Sequence, residues 1–142
     1  MLFRIPFKFL AVTILMFLFN TTLLHAQKAD DILGQYWTPK KDGKLEMFKM
    51  GNQYFGKLIW GKRKRKDFNN PNEALKKRDL VGAVLLKNFS YEDGEYKHGE
   101  IYDPTSGKTY SSKMWLSNGD LKVRGFVGVS LLGRTEVFTR VR

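Results

Sequence analysis

The chain has 142 residues, no cysteine, two histidines and a formal net charge of +11. The lack of cysteine excludes disulfides, thiol nucleophiles and thiolate metal sites, so packing alone must hold the fold. The histidine count leaves no multi-histidine metal site within one chain.

The N-terminus reads as an export signal. Arg4 and Lys8 precede the apolar run Phe9–Phe19. Such a run fits the roughly 7–15 residues of a signal-peptide core and falls short of the roughly 20 that a spanning helix needs. Leu24-His25-Ala26-Gln27 follows, with small Ala26 before the expected cut. We expect a cleaved signal peptide over residues 1–26, a single mature domain over 27–142, and a periplasmic or secreted product. Without cysteine, a lipid anchor at the cut is excluded. His25 leaves with the signal, and His98 remains.

Turn signals dominate the mature chain. Lys44–Met50 and Gln53–Trp60 flank Gly51-Asn52, a hairpin signature because both residues tolerate positive φ. Gly61–Asn72 is the longest polar stretch, and Glu73–Arg78 fits one helical turn with Asn72 as N-cap. Leu80–Leu86 resembles a short buried strand, and Asp93-Gly94 marks a turn. Lys97–Tyr102 and Lys108–Leu116 flank the loop Asp103–Gly107, and Asn118-Gly119 makes the next hairpin. Leu121–Val127, Gly128–Leu132 and Thr135–Val141 complete the set. Short strands joined by tight turns predict an all-β fold: a single antiparallel up-and-down β-barrel of about eight strands.

A family pattern runs through these elements. It comprises Gly34-x-Tyr36-Trp37, Tyr54-x-Gly56-Lys57-x-x-Trp60, Asn70-Pro71 and Leu80-x-Gly82. Next comes Gly99-x-Ile101-Tyr102-Asp103-Pro104-x-x-Gly107-Lys108-x-Tyr110. The C-terminal block is Leu121-x-Val123-Arg124-Gly125-x-x-Gly128-x-Ser130-x-Leu132-Gly133-Arg134-Thr135, closing on Phe138-x-Arg140. The chain thus resembles the bacterial domain-of-unknown-function family 2147. That resemblance implies an exported small β-barrel and no assigned activity. A looser likeness is to lipocalin-type barrels, in which an arginine of the last strand packs over an aromatic of the first. Here Arg140 would meet Trp37, or Tyr36 if the register shifts.

Candidate sites follow. Lys62-Arg63-Lys64-Arg65-Lys66 would attract anionic lipid or envelope polysaccharide, and export argues against nucleic acid. Tyr102, Asp103 and Lys108 sit at a hairpin loop, where Asp103 can satisfy the turn backbone or, with its neighbours, fix a ligand's polar end. Arg124 and Arg134 lie among apolar residues. Arg124 either pairs with Glu136 or faces the barrel cavity to receive an anion. Trp37, Tyr54, Trp60 and Trp115 would line or cap that cavity. His98 and Glu100 offer too few ligands for a metal, no cofactor is expected, and nothing selects a catalytic set.

The leading reading is a non-catalytic module binding a small amphipathic or anionic ligand. The alternative is an envelope-interaction protein working through its basic surface, and a third is an envelope hydrolase. An interior cavity of at least about 300 Å³ would favour the first. A filled core with one basic face would favour the second. Oligomeric state is not encoded in any feature of the sequence.

Overall fold

A computed structural model describes residues 28–142; the expected signal peptide lies outside them. A short 3-10 helix, Ala29–Ile32, leads into β1 (Gly34–Trp37), β2 (Gly43–Met50), β3 (Gln53–Gly61) and β4 (Val84–Glu92). Then follow β5 (Glu95–Asp103), β6 (Lys108–Ser117), β7 (Asp120–Phe126) and β8 (Arg134–Arg140). The strands form a closed antiparallel barrel in sequence order, as expected. β1 and β8 seal it, pairing Tyr36 with Arg140 and Trp37 with Thr139.

The β3–β4 ladder shifts register between the pairs that bracket Asn88, and the β5–β6 ladder between those that bracket His98; both residues adopt positive φ. Such bulges sharpen the coil that a small barrel requires. Of two further expected strands, one starts later than expected and the other is replaced by a loop. At Leu80–Leu86 the chain first makes a turn, with the Ala83 N–H donating to the Leu80 carbonyl at 3.0 Å, and β4 begins only at Val84. Leu80 and Ala83 are apolar because they are the buried residues at the end of the β3–β4 connection. Gly128–Leu132 is a loop with a 3-10 turn over Ser130–Leu132, because Gly128 leaves extended geometry at φ 74°. The expected turn after Asn72 is present, and its side chain accepts from the Ala74 N–H.

Strand alternation gives the barrel two unlike rims. The connections 38–42, 62–83, 104–107 and 127–133 lie at one, here the loop rim. The turns at 51–52, 93–94 and 118–119 lie at the other, the turn rim, with the N-terminal 3-10 helix.

The core occupies the half nearer the turn rim. Tyr36, Met47, Tyr54, Phe89, Tyr96, Met114, Leu121 and Val123 are buried there, with Ile32 beneath them. Three tyrosine hydroxyls tie down the 3-10 helix that closes this end. Tyr36 donates to the Ile32 carbonyl (2.9 Å), Tyr96 to the Ala29 carbonyl (2.6 Å) and Tyr54 to Asp30 (2.5 Å). Buried phenols are tolerated because each finds an acceptor.

Candidate functional site

The long β3–β4 connection folds back against the outer wall of β4, β5 and β6. Its anchor is Asp67, which is wholly buried. Its carboxylate accepts hydrogen bonds from the Tyr102 hydroxyl (2.5 Å), Asn70 Nδ2 (2.8 Å) and Arg78 Nε (2.9 Å). Arg78 adds a second nitrogen at 2.8 Å. Burial by itself would raise the Asp67 carboxyl, but the donors from Tyr102, Asn70 and Arg78 override it and hold the group below its ordinary value. The Tyr102 phenol is pushed up to about 12 by burial and by accepting-group Asp67. Asn69 Nδ2 donates to the Thr105 carbonyl (2.8 Å) and fastens the same connection to the β5–β6 loop.

This packing leaves two clefts on the outer wall. One, of about 180 Å³, is lined by Asn70, Leu75, Arg78, Lys87, Glu100 and Tyr102, among others. The second, of about 400 Å³, is lined by Phe48, Met50, Phe55, Val84, Arg78 and Lys87, among others. Phe48 and Phe55 are cross-strand partners whose rings stack at 5.6 Å. The two clefts share Arg78 and Lys87. The combined groove therefore has an aromatic lobe, a polar lobe and two cations between them.

The sequence-derived candidates are scattered by comparison. Tyr102 joins the groove. Asp103 turns to its own loop, accepting from the Thr105 N–H (2.9 Å) and Ser106 Oγ (2.7 Å), and Lys108 is exposed beside it. Arg124 does not face the interior. It pairs across the sheet with Thr135, on the face opposite buried Val123. Nor does Arg124 pair with Glu136: it donates to the Ser130 carbonyl (2.6 Å), the Leu131 carbonyl (3.0 Å) and Thr135 Oγ1 (2.8 Å). Glu136 instead meets Arg134 at 3.0 Å.

Trp37 also lies outside, edge-on to Trp60 at 5.8 Å with the Lys44 ammonium 4.4 Å from its ring centre. Trp37 and Trp60 sit on the outer wall because β1 alternation gives the inward place to Tyr36. Trp115 is outward by the same alternation, since its neighbour Met114 is buried, whereas Tyr54 belongs to the core. Lys62, Arg63, Lys64, Arg65 and Lys66 are all exposed, and Lys66 bridges Asp79 at 2.7 Å. His98 approaches Glu92 (3.1 Å) rather than Glu100. Among the described residues there is no group of three or more His, Asp or Glu placed to hold a metal.

Asp67, Arg78, Lys87 and the Phe48–Phe55 pair escape a linear reading. The aromatic pair had a usable signal: a two-residue turn at Gly51-Asn52 sets Met50 opposite Gln53 and hence Phe48 opposite Phe55. Asp67 had none, because nothing in a polar stretch announces that one acid will be buried.

Comparison with known proteins agrees with this architecture. A solved structure, Protein HP1028 from the human pathogen Helicobacter pylori, described as belonging to the lipocalin family, is similar at a TM-score of 0.70 and 26% identity. The match covers 78% of this chain and 83% of that one. No curated protein sequence matches the chain. The family model described as "Uncharacterized protein conserved in bacteria (DUF2147)" matches residues 34–140, and the chain belongs to that family.

Proposed function

We propose that this protein is an exported, non-catalytic binding module for a small amphipathic anion, held in the outer-wall groove rather than inside the barrel. The observation that carries the reading is the sharing of Arg78 and Lys87 between an apolar and a polar lobe. An aliphatic or aromatic body would lie against Phe48, Met50, Phe55 and Val84, and an acidic head would meet the cations. The larger lobe, about 400 Å³, is of the size small-molecule sites have. The closed, side-chain-filled half of the barrel argues against an interior site there. A lipocalin-family neighbour is compatible with small-ligand binding. Export rests on the N-terminal signal pattern.

Isothermal titration with dodecanoate and with dodecanol tests the reading. Dodecanoate should bind more tightly, and Lys87→Gln should weaken it about tenfold, the scale of one lost charge-assisted contact. Equal binding of acid and alcohol, or no effect of Lys87→Gln combined with Met50→Ser, would overturn it.

A further inference from the structure

The two rims differ in charge as well as in loop length. At the turn rim Asp30, Asp31, Glu92, Asp93, Glu95 and Asp120 outnumber Lys28, Lys49, Arg140 and Arg142. The loop rim carries Lys40, Lys41, the run Lys62–Lys66, Lys108 and Arg134. Its acids are largely engaged: Asp79 with Lys66, Asp103 with its own turn, and Asp42 with Thr38. These loops are also tied to one another, since the Lys62 N–H donates to the Asp42 carbonyl at 2.8 Å.

The same rim carries the most exposed aliphatic residues of the described chain. Val127 is 76% exposed, Val129 59%, Leu131 85% and Leu132 79%, all in the β7–β8 connection. This loop is held in place. Arg124 donates to the carbonyls of Ser130 and Leu131 and to Thr135 Oγ1, so the apolar side chains are presented on a braced turn. Clustered exposed aliphatic residues mark an interaction surface.

We propose that the loop rim docks on an anionic phospholipid bilayer. Val127, Val129, Leu131 and Leu132 enter the boundary between headgroups and acyl chains, and Lys62–Lys66 with Lys40, Lys41 and Arg134 meet the phosphates. Apolar insertion and attraction to anionic lipid act together in such peripheral contacts. An anionic polysaccharide would satisfy the cations and leave the aliphatic tip in water. A second copy of the chain would bring two basic rims together. The acidic turn rim would point away from the membrane. This inference is independent of the outer-wall groove.

The lack of cysteine allows a clean test. An environment-sensitive nitrobenzoxadiazole label is attached to the full chain through Leu132→Cys, and in a second protein through Asn52→Cys at the turn rim. With phosphatidylglycerol–phosphatidylcholine vesicles, the label at 132 should shift to the blue and escape quenching by aqueous iodide. The label at 52 should do neither. Replacing Lys62, Arg63, Lys64, Arg65 and Lys66 together by serine should abolish the shift, as should salt near 1 M, where screening acts within about 3 Å. No shift at 132, an equal shift at both positions, or the same shift with soluble dextran sulfate in place of vesicles would overturn the proposal.

Discussion

The Tyr102 hydroxyl donates a 2.5 Å hydrogen bond to the buried carboxylate of Asp67, a residue 35 positions away in the chain. This contact joins the outer wall of β5 to the β3–β4 connection and shapes the floor of the groove. The other donors to Asp67, Asn70 and Arg78, lie within the connection itself, so Tyr102 is what ties this carboxylate to the barrel, beside the Asn69 bond to the β5–β6 loop.

Tyr102→Phe should cost about 1–3 kcal/mol, the penalty for a buried acceptor that loses a donor. Asp67→Asn should cost more, about 3 kcal/mol, because Arg78 would lose its counter-charge. Urea unfolding at neutral pH checks both. The Asp67 carboxyl sits below its ordinary 3.8 in the folded state. Its contribution is therefore complete well above that value and is lost as pH falls through the lower folded value. The gap between wild type and Asp67→Asn should close in acid. Tyr102 behaves in the opposite sense. Its phenol is raised from 10.0 to about 12, so its contribution holds below pH 10 and fades as pH rises through 12. Burial pushes Tyr36 up to about 12 as well, so ultraviolet titration should show a late-ionising phase that Tyr102→Phe reduces by one tyrosine.

Arg140 and Tyr36 lock the barrel seam. The guanidinium carbon lies 4.7 Å from the Tyr36 ring centre. Arg140 also donates to the Leu33 carbonyl (3.1 Å), the Gly119 carbonyl (3.2 Å), the Asp31 carbonyl and the Tyr36 hydroxyl. Arg140→Ala should cost about 1–3 kcal/mol through the acceptors it strands. In a double-mutant cycle with Tyr36→Phe the two changes should be non-additive by about 0.5–3 kcal/mol. Additive behaviour in urea unfolding would show that the ring and the guanidinium act separately.

Gly99 is a test of core packing. A Cβ placed there would lie 2.4 Å from the Phe89 ring. Phe89 is fully buried and has no room to retreat. Gly99→Ala should therefore destabilise by about 1–3 kcal/mol, the usual cost of overpacking. Combining it with Phe89→Leu should recover part of the loss. A thermally neutral Gly99→Ala would mean that the barrel relaxes there freely.

Architecture was legible in the chain because it is written in local terms. Gly51-Asn52, Asp93-Gly94 and Asn118-Gly119 dictate hairpins through backbone conformation alone, and consecutive hairpins leave little choice but a meander. The seam was legible too, as a pairing of Arg140 with Tyr36 or Trp37. Only the fold chose between them: the closed ladder sends Tyr36 inward and Trp37 outward. The roles of Arg124 and Asp67 were decided entirely by tertiary structure. Alternation on β7 turns Arg124 to the outside, where it braces a loop, and the fold-back of residues 62–83 buries an acid amid donors from Tyr102, Asn70 and Arg78. A linear pattern records which side chains are charged or apolar. Whether a charge is solvated or enclosed depends on which distant segment lies over it, and that is fixed by the global packing rather than by any neighbour in the chain.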